Sequence, residues 1–415
     1  MVYIIIFAII LCGIYRYDFL SRTDAKLGVF SYIFILLTCV SVLKYRVGSD
    51  ILVYMSEYGD YLPLNKLTVS YVFDNANRQP GWIFLISILK SFSNDFFVFQ
   101  FVQAIFINYA ISRTIVFNTK YIFTATLFYF VYLYTELNFE VMRESFAVGF
   151  FLFSLEAYKR NLWFKYYILV SISFLFHLSA FFLLVLPVLK LLPIHKKAIW
   201  GYLIILSLFS FLFLPDLHDT FKDMDISLWA ALDEKATSYL ASEKYKVEWE
   251  KSFLFKSSFV LAVSYWISVI KGYYNGCRKW EIQLGILYFI FETLNTGIPF
   301  FYRFNNYILL VYLLMLTNSI YAIISHCYFV KFRGVLLLFL ICIFIYLPIN
   351  SYFRFSSVRL NRLRNKLLAN YLKSGGNELA TVRISAFCVA MLSNNSFICK
   401  YSIFFRKYEL SAAVL

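Results

Sequence analysis

A few short stretches of this 415-residue chain put charged groups where chemistry could be done. In "YRVGSDILVYMSEY", Arg46 and Asp50 are one helical turn apart and Tyr54 and Tyr58 continue the spacing, so a helix or turn would show all four on one face. The planar fork of arginine makes paired, charged hydrogen bonds and suits a diphosphate; a surface Arg–Asp pair anchoring an interfacial segment is the plainer reading. "NFEVMRESFAVGF" puts Glu140, Arg143 and Glu144 on one predicted helical face at the start of an apolar run, where Arg143 could meet an anionic partner or pair with either glutamate. "FLFHLSAFFLLVLP" sets His177 alone between apolar runs, either bonded to a neighbouring helix or acting directly on a phosphate oxygen, a sugar hydroxyl or a proton. "FETLNTGIPFFYRFNNY" carries Glu292 within one apolar run and Arg303 at the start of the next; Glu292 could be a base or the partner of a buried cation. Gly297 and Pro299 break the helix between them and would turn Arg303 back toward the bundle.

The elements that must position these groups are membrane helices. The chain is 61% hydrophobic and 21% aromatic with only 15% charged residues, outside the range of soluble domains. Its apolar runs recur at lengths that cross a hydrocarbon core of about 30 Å. Phosphate-binding Gly-rich loops, dinucleotide fingerprints, HExxH and GxSxG are all missing. The seven cysteines are scattered and suggest neither a disulfide framework nor a metal site. The net charge of +15 sits in short loops and one basic tail, which argues against a nucleic-acid surface.

The expected fold is all-α, a polytopic transmembrane bundle of about twelve spans. The runs are 2–15, 27–43, 95–112, 121–139, 143–158, 166–178, 179–193, 198–214, 253–270, 282–298, 304–325 and 334–350. Alternate loops collect cations, among them Arg16, Arg22 and Lys26; Lys159, Arg160 and Lys165; Lys271, Arg278 and Lys279. The positive-inside rule makes those loops cytoplasmic and puts both termini and the loops 44–79, 215–252 and 299–303 outside. Residues 166–193 are short for two crossings, so a pair of short or broken helices meeting near His177 is expected. Residues 80–91 are too short to cross and read as a half-inserted or interfacial helix. After about residue 350 the apolar runs stop, which separates a domain at 1–352 from a basic tail at 353–415.

In their order, these stretches resemble the EpsG/Wzy group of bacterial membrane polysaccharide polymerases. The likeness rests on Arg46, Gly48, Asp50 and Tyr54; on Pro80-Gly81 before a short apolar helix; on Arg143 and Ala147; on His177; and on Arg303 to Tyr307, across roughly residues 1 to 352. Ser49 and Glu144-Ser145 depart from the family pattern, which usually has Thr at the first and Gln-Gly at the second. The resemblance implies a GT-C-like bundle in the bacterial cytoplasmic (inner) membrane. It would join oligosaccharide repeat units carried on undecaprenyl diphosphate at the outer face, with no cofactor and no metal demanded. Membrane lipids, a flippase and a chain-length regulator are the implied partners. On this reading Arg46, Arg143 and Arg303 bind the diphosphate in one outward-facing cavity, Tyr54 and Tyr307 bind substrate, and Asp50, His177 and Glu292 supply catalytic groups. A glycosyltransferase using a polyprenyl-phosphate sugar and a transporter of the same lipid-linked oligosaccharide are the alternatives.

Overall fold

The computed structural model describes residues 2–44, 48, 50–74, 78–202, 204–205, 270, 278–297, 301–325, 334–335 and 337. Arg46, the loop 215–252, the tail 353–415, the later part of the run 198–214 and nearly all of the runs 253–270 and 334–350 lie outside the described residues. The chain divides into two units, Met1–Pro348 and Ile349–Leu415, and every described residue belongs to the first.

Every element among the described residues is helical. The order is α1 (Val2–Gly13), a π-helical continuation at Ile14–Phe19, α2 (Lys26–Val42), α3 (Ile51–Asp60), α4 (Val69–Asp74), α5 (Pro80–Phe92), α6 (Phe96–Asn118) and α7 (Ile122–Tyr132). A π-turn at Glu136–Glu140 leads into α8 (Met142–Lys159) and α9 (Trp163–Phe176). Then come a 3₁₀ segment at Leu178–Leu191, α10 (Lys279–Gly297) and α11 (Tyr302–Ser325). Val2–Phe19 and Phe96–Asn118 are each long and apolar enough to cross a membrane, and shorter apolar helices accompany them.

The bundle shows apolar side chains outward and keeps its buried amides inside. On α6, Phe97, Phe101, Ile105, Tyr109 and Val116 are exposed while Gln100, Gln103 and Asn108 are buried. Water would reverse that arrangement, because a contiguous exposed apolar face is stable only against lipid or a partner. The buried amides are satisfied inside: Gln103 Nε2 donates to the Leu137 carbonyl at 3.0 Å and to Ser145 Oγ at 2.9 Å, and Asn108 Nδ2 donates to Asn138 Oδ1 at 3.0 Å. These bonds hold the π-turn to α6.

The break near His177 is present. α9 ends with His177 in an extended conformation, φ −149° and ψ 130°. Its 14 residues span only about 21 Å at the α-helical rise, too little for a crossing. The next 14 residues, Leu178–Leu191, are 3₁₀ and reach about 28 Å at the longer 3₁₀ rise. Pro187 lies inside this segment, where its missing N–H and its ring both disfavour continuous α-helix.

Residues 80–91 do form a separate helix. Pro80 occupies its first turn, where a missing N–H removes no intrahelical bond. Gly81 lets that turn abut the end of α9, because a Cβ there would lie 2.7 Å from the Leu175 carbonyl oxygen. The expectation of one face for Glu140, Arg143 and Glu144 is corrected: α8 starts at Met142, so Glu140 belongs to the π-turn before it.

Candidate functional site

The polar stretches of the sequence meet where the starts of α8 and α11, the 3₁₀ segment and the α3–α5 region come together. Arg143 and Glu144 lie in the first turn of α8, and Arg303, Asn305, Asn306 and Tyr307 in the first turns of α11, so a cluster of polar side chains is buried at helix starts. Arg143 donates from Nη1 to Gln79 Oε1 at 2.9 Å, and its Nε is buried without a hydrogen-bond partner. Its electrostatic neighbours are Tyr54, Arg78, Glu57 and Arg303. Arg303 is only 8% exposed, with Nε 3.3 Å from the Tyr302 hydroxyl. Glu144 is 2% exposed, accepts from Asn306 Nδ2 at 2.9 Å and interacts with both Arg303 and Arg143. The structure therefore gathers two of the three expected arginines around a buried carboxylate. Arg46, the third, is outside the described residues.

His177 joins this group through intermediaries. Its Nδ1 is 2.5 Å from Ser179 Oγ, which is 3.0 Å from the hydroxyl of Tyr307. Tyr307 is fully buried between Phe151 and Phe182 and interacts electrostatically with Glu144, Arg303 and Arg143. In this conformation it holds the shell of the site and has no surface for a ligand. Glu292 sits to one side on α10, accepting from Asn305 Nδ2 at 2.6 Å.

Asp50 is half-buried directly before α3, and its backbone carbonyl accepts the Tyr54 N–H at 3.1 Å. Gly48 precedes it at φ +125°, which L-residues avoid, and a Cβ there would lie 2.1 Å from the Phe139 carbonyl oxygen. That glycine lets the Asp50 segment close onto the π-turn. Lys44 pins the same junction by donating to the Asn138 carbonyl, with its ammonium 4.9 Å from the centre of the Phe139 ring. Burial holds that ammonium down, to about 7, against the upward pull of Glu140. Tyr54 packs on Trp82 with ring centres 5.4 Å apart; burial pushes its hydroxyl up to about 12, so it remains an O–H donor at neutral pH.

Sequence reasoning missed several participants. Glu57 accepts from Arg78 Nε at 2.8 Å and from Trp82 Nε1 at 3.1 Å, tying α3 to the turn that carries Gln79. Arg78 and Gln79 stand directly before the Pro80-Gly81 signal, and Asn306 stands inside "RFNNY", so position in the sequence could have flagged all three. Ser179 looks like an ordinary small residue in an apolar run, and nothing in the pattern marks it. Among the described residues no group of three or more His, Cys, Asp or Glu side chains is placed to hold a metal ion.

Chemically, the two guanidinium groups can offset charge on an anionic ligand, with the Glu144 carboxyl group beside both. A helical bundle that is apolar outside and buries charged groups at its helix starts has the character of a membrane protein. The chain belongs to the EpsG family, the family of Wzy-type polysaccharide polymerases, whose model matches residues 27–372. The match begins at α2 and runs past residue 352, beyond where the sequence stops being apolar. No curated protein and no solved structure matches the chain.

Proposed function

We propose that the protein polymerises oligosaccharide repeat units carried on undecaprenyl diphosphate, at the outer face of the cytoplasmic membrane, during surface polysaccharide synthesis. One observation carries the reading within the family: Arg143 and Arg303 share a neighbourhood around the buried carboxyl group of Glu144. A diphosphate supplies several oxygen acceptors and can engage both forks, with Arg46 as the third member. A hydroxyl of the incoming unit attacks the anomeric carbon of the growing chain. The bond to the diphosphate breaks, and the arginines offset charge growing on the leaving group. Asp50, Glu292 and His177 are the candidates to handle the hydroxyl proton, and Tyr54 offers a donor to sugar or phosphate.

The test uses purified protein in detergent with lipid-linked repeat units extracted from cells lacking the polymerase gene. A ladder of lipid-linked polymer is expected. Sugar addition that depends on a polyprenyl-phosphate monosaccharide would replace this reading with the glycosyltransferase. Movement of the lipid across vesicles with no new glycosidic bond would replace it with the transporter.

A further inference from the structure

Glu57 is committed on both oxygens. Its Oε1 accepts from Nε of Arg78 at 2.8 Å and from Nη2 of the same residue, and its Oε2 accepts from Nε1 of Trp82 at 3.1 Å. Trp82 is fully buried, with its ring 5.4 Å from Tyr54 and 5.2 Å from Phe99, so the carboxylate is anchored on a fixed donor. Both bonds from Arg78 leave one edge of the planar fork, which sets the plane of the guanidinium as well as its position. The backbone of this turn is held too: Gln79 accepts from Nη1 of Arg143 at 2.9 Å, Pro80 opens α5, and Gly81 abuts the Leu175 carbonyl.

Arg78 is thus ordered beside Arg143, and Arg303 is a second like-charged neighbour of Arg143, from α11. A salt bridge tying α3 to the turn needs only Glu57 and Arg78 and gives no reason to bury another guanidinium next to it. The Nε of Arg143 is buried without a hydrogen-bond partner, a costly state with two cations nearby. An anion with several oxygen acceptors turns the same cations into partners. The Arg78 side chain keeps 22% of its surface exposed, so a ligand can reach it.

We propose that Arg78 is a further diphosphate-binding residue of the site and that Glu57 is the positioning residue that fixes it. The inference deepens the polymerase reading and rests on it: the lipid diphosphate is met from the turn before α5 as well as from α8 and α11. An additional arginine serves the additional phosphoryl group, so Arg78 should show itself as a preference for diphosphate over monophosphate.

The test is calorimetric titration of the purified full-length protein in detergent with farnesyl diphosphate and with farnesyl monophosphate, short polyprenyl probes that carry no sugar. Wild type is expected to prefer the diphosphate. Arg78→Gln should weaken diphosphate binding about tenfold to a hundredfold, as for one lost charged hydrogen bond, and remove most of the preference. Arg78→Lys keeps a cation, which protects folding if the glutamine variant is unstable, and should fall between; an unchanged preference in either variant overturns the assignment.

For Glu57 the sign of the effect decides. Removing a carboxylate near an anion site strengthens anion binding on charge alone, whereas removing the group that holds Arg78 weakens it. Glu57→Gln is expected to weaken farnesyl diphosphate binding and to have no further effect in an Arg78→Gln background. Equal or tighter binding, or the same loss in both backgrounds, overturns the positioning role. Wild-type protein that binds the diphosphate no better than the monophosphate overturns the role of Arg78, and polymer made by that protein would leave the polymerase reading standing. A diphosphate preference that depends on Arg78 in a protein that makes no polymer would remove the polymerase reading and keep Arg78 in a diphosphate site.

Discussion

Arg143 has one hydrogen bond to a neutral amide and a buried Nε without a partner, an expensive state for a guanidinium unless a ligand completes it. Lysine would keep the charge and lose the planar fork. Arg143→Lys and Arg303→Lys are each expected to lower polymer formation by roughly 10² to 10³, about 2 to 4 kcal/mol, with protein levels little changed. Rates near wild type for both would remove the diphosphate clamp. Lys44 gives a second prediction. Its folded value of about 7 lies below the ordinary 10.5, so between those limits the unfolded chain binds more protons and stability rises with pH. Thermal melting in detergent should therefore shift upward from pH 7 to pH 9, and Lys44→Met should flatten that slope. An unchanged slope in the variant would assign the pH dependence to other groups. Legibility at this scale was uneven: charged residues in apolar surroundings announced Arg143, Glu292 and Arg303. Ser179 and Gln79 are uncharged and take meaning only from what folding sets beside them.

At the scale of elements, glycine shows where helices approach closely. Gly81→Ala would push a methyl into the Leu175 carbonyl, two residues before His177, in backbone that can yield only by moving α5 away from α9. A loss of about 1 to 3 kcal/mol is expected, read as a lower melting temperature. Gly28→Ala and Gly59→Ala are the comparators: nothing lies within 4 Å of a Cβ at either position. Both glycines sit in helices, so alanine there should be neutral or slightly stabilising. If Gly81→Ala melted with the comparators, the close approach of α5 and α9 would be wrong. The break at His177 was legible because 28 residues are too few for two α-helical crossings. That the second arm is 3₁₀ was not, since a run that is apolar on its buried and its exposed faces alike carries no period that separates 3₁₀ from α. The π-turn at Glu136–Glu140 was hidden for a related reason. Its conformation is stabilised by Gln103 and Asn108, which are distant in sequence, and local propensity does not contain them.

For the whole molecule, the alternating basic loops predict a topology with 215–252 outside and 271–280 in the cytoplasm. Single cysteines introduced into a cysteine-free protein test this directly. An impermeant reagent on intact cells should reach position 235 and not position 275, and the reverse pattern would put the arginine group on the wrong side for an outer-face reaction. The C-terminal boundary is the remaining question at this scale, because two criteria disagree about it. Apolar runs end near residue 350, whereas the family match continues to residue 372 through Arg359, Arg362, Arg364 and Lys366. On the derived topology those cations follow the last span on the outer side, against the usual bias, and a basic segment there would face anionic headgroups or the lipid-linked substrate. Ending the chain after Leu372 keeps every matched residue and should leave polymer formation per inserted protein undiminished. Ending it after Phe355 removes the four cations as well, and comparing the two truncations separates the criteria. Full activity in both would place the working boundary where the apolar runs stop. Loss only in the shorter chain would give residues 356–372 a part in the reaction, and loss in both, with normal insertion, would show that the rest of the tail is needed.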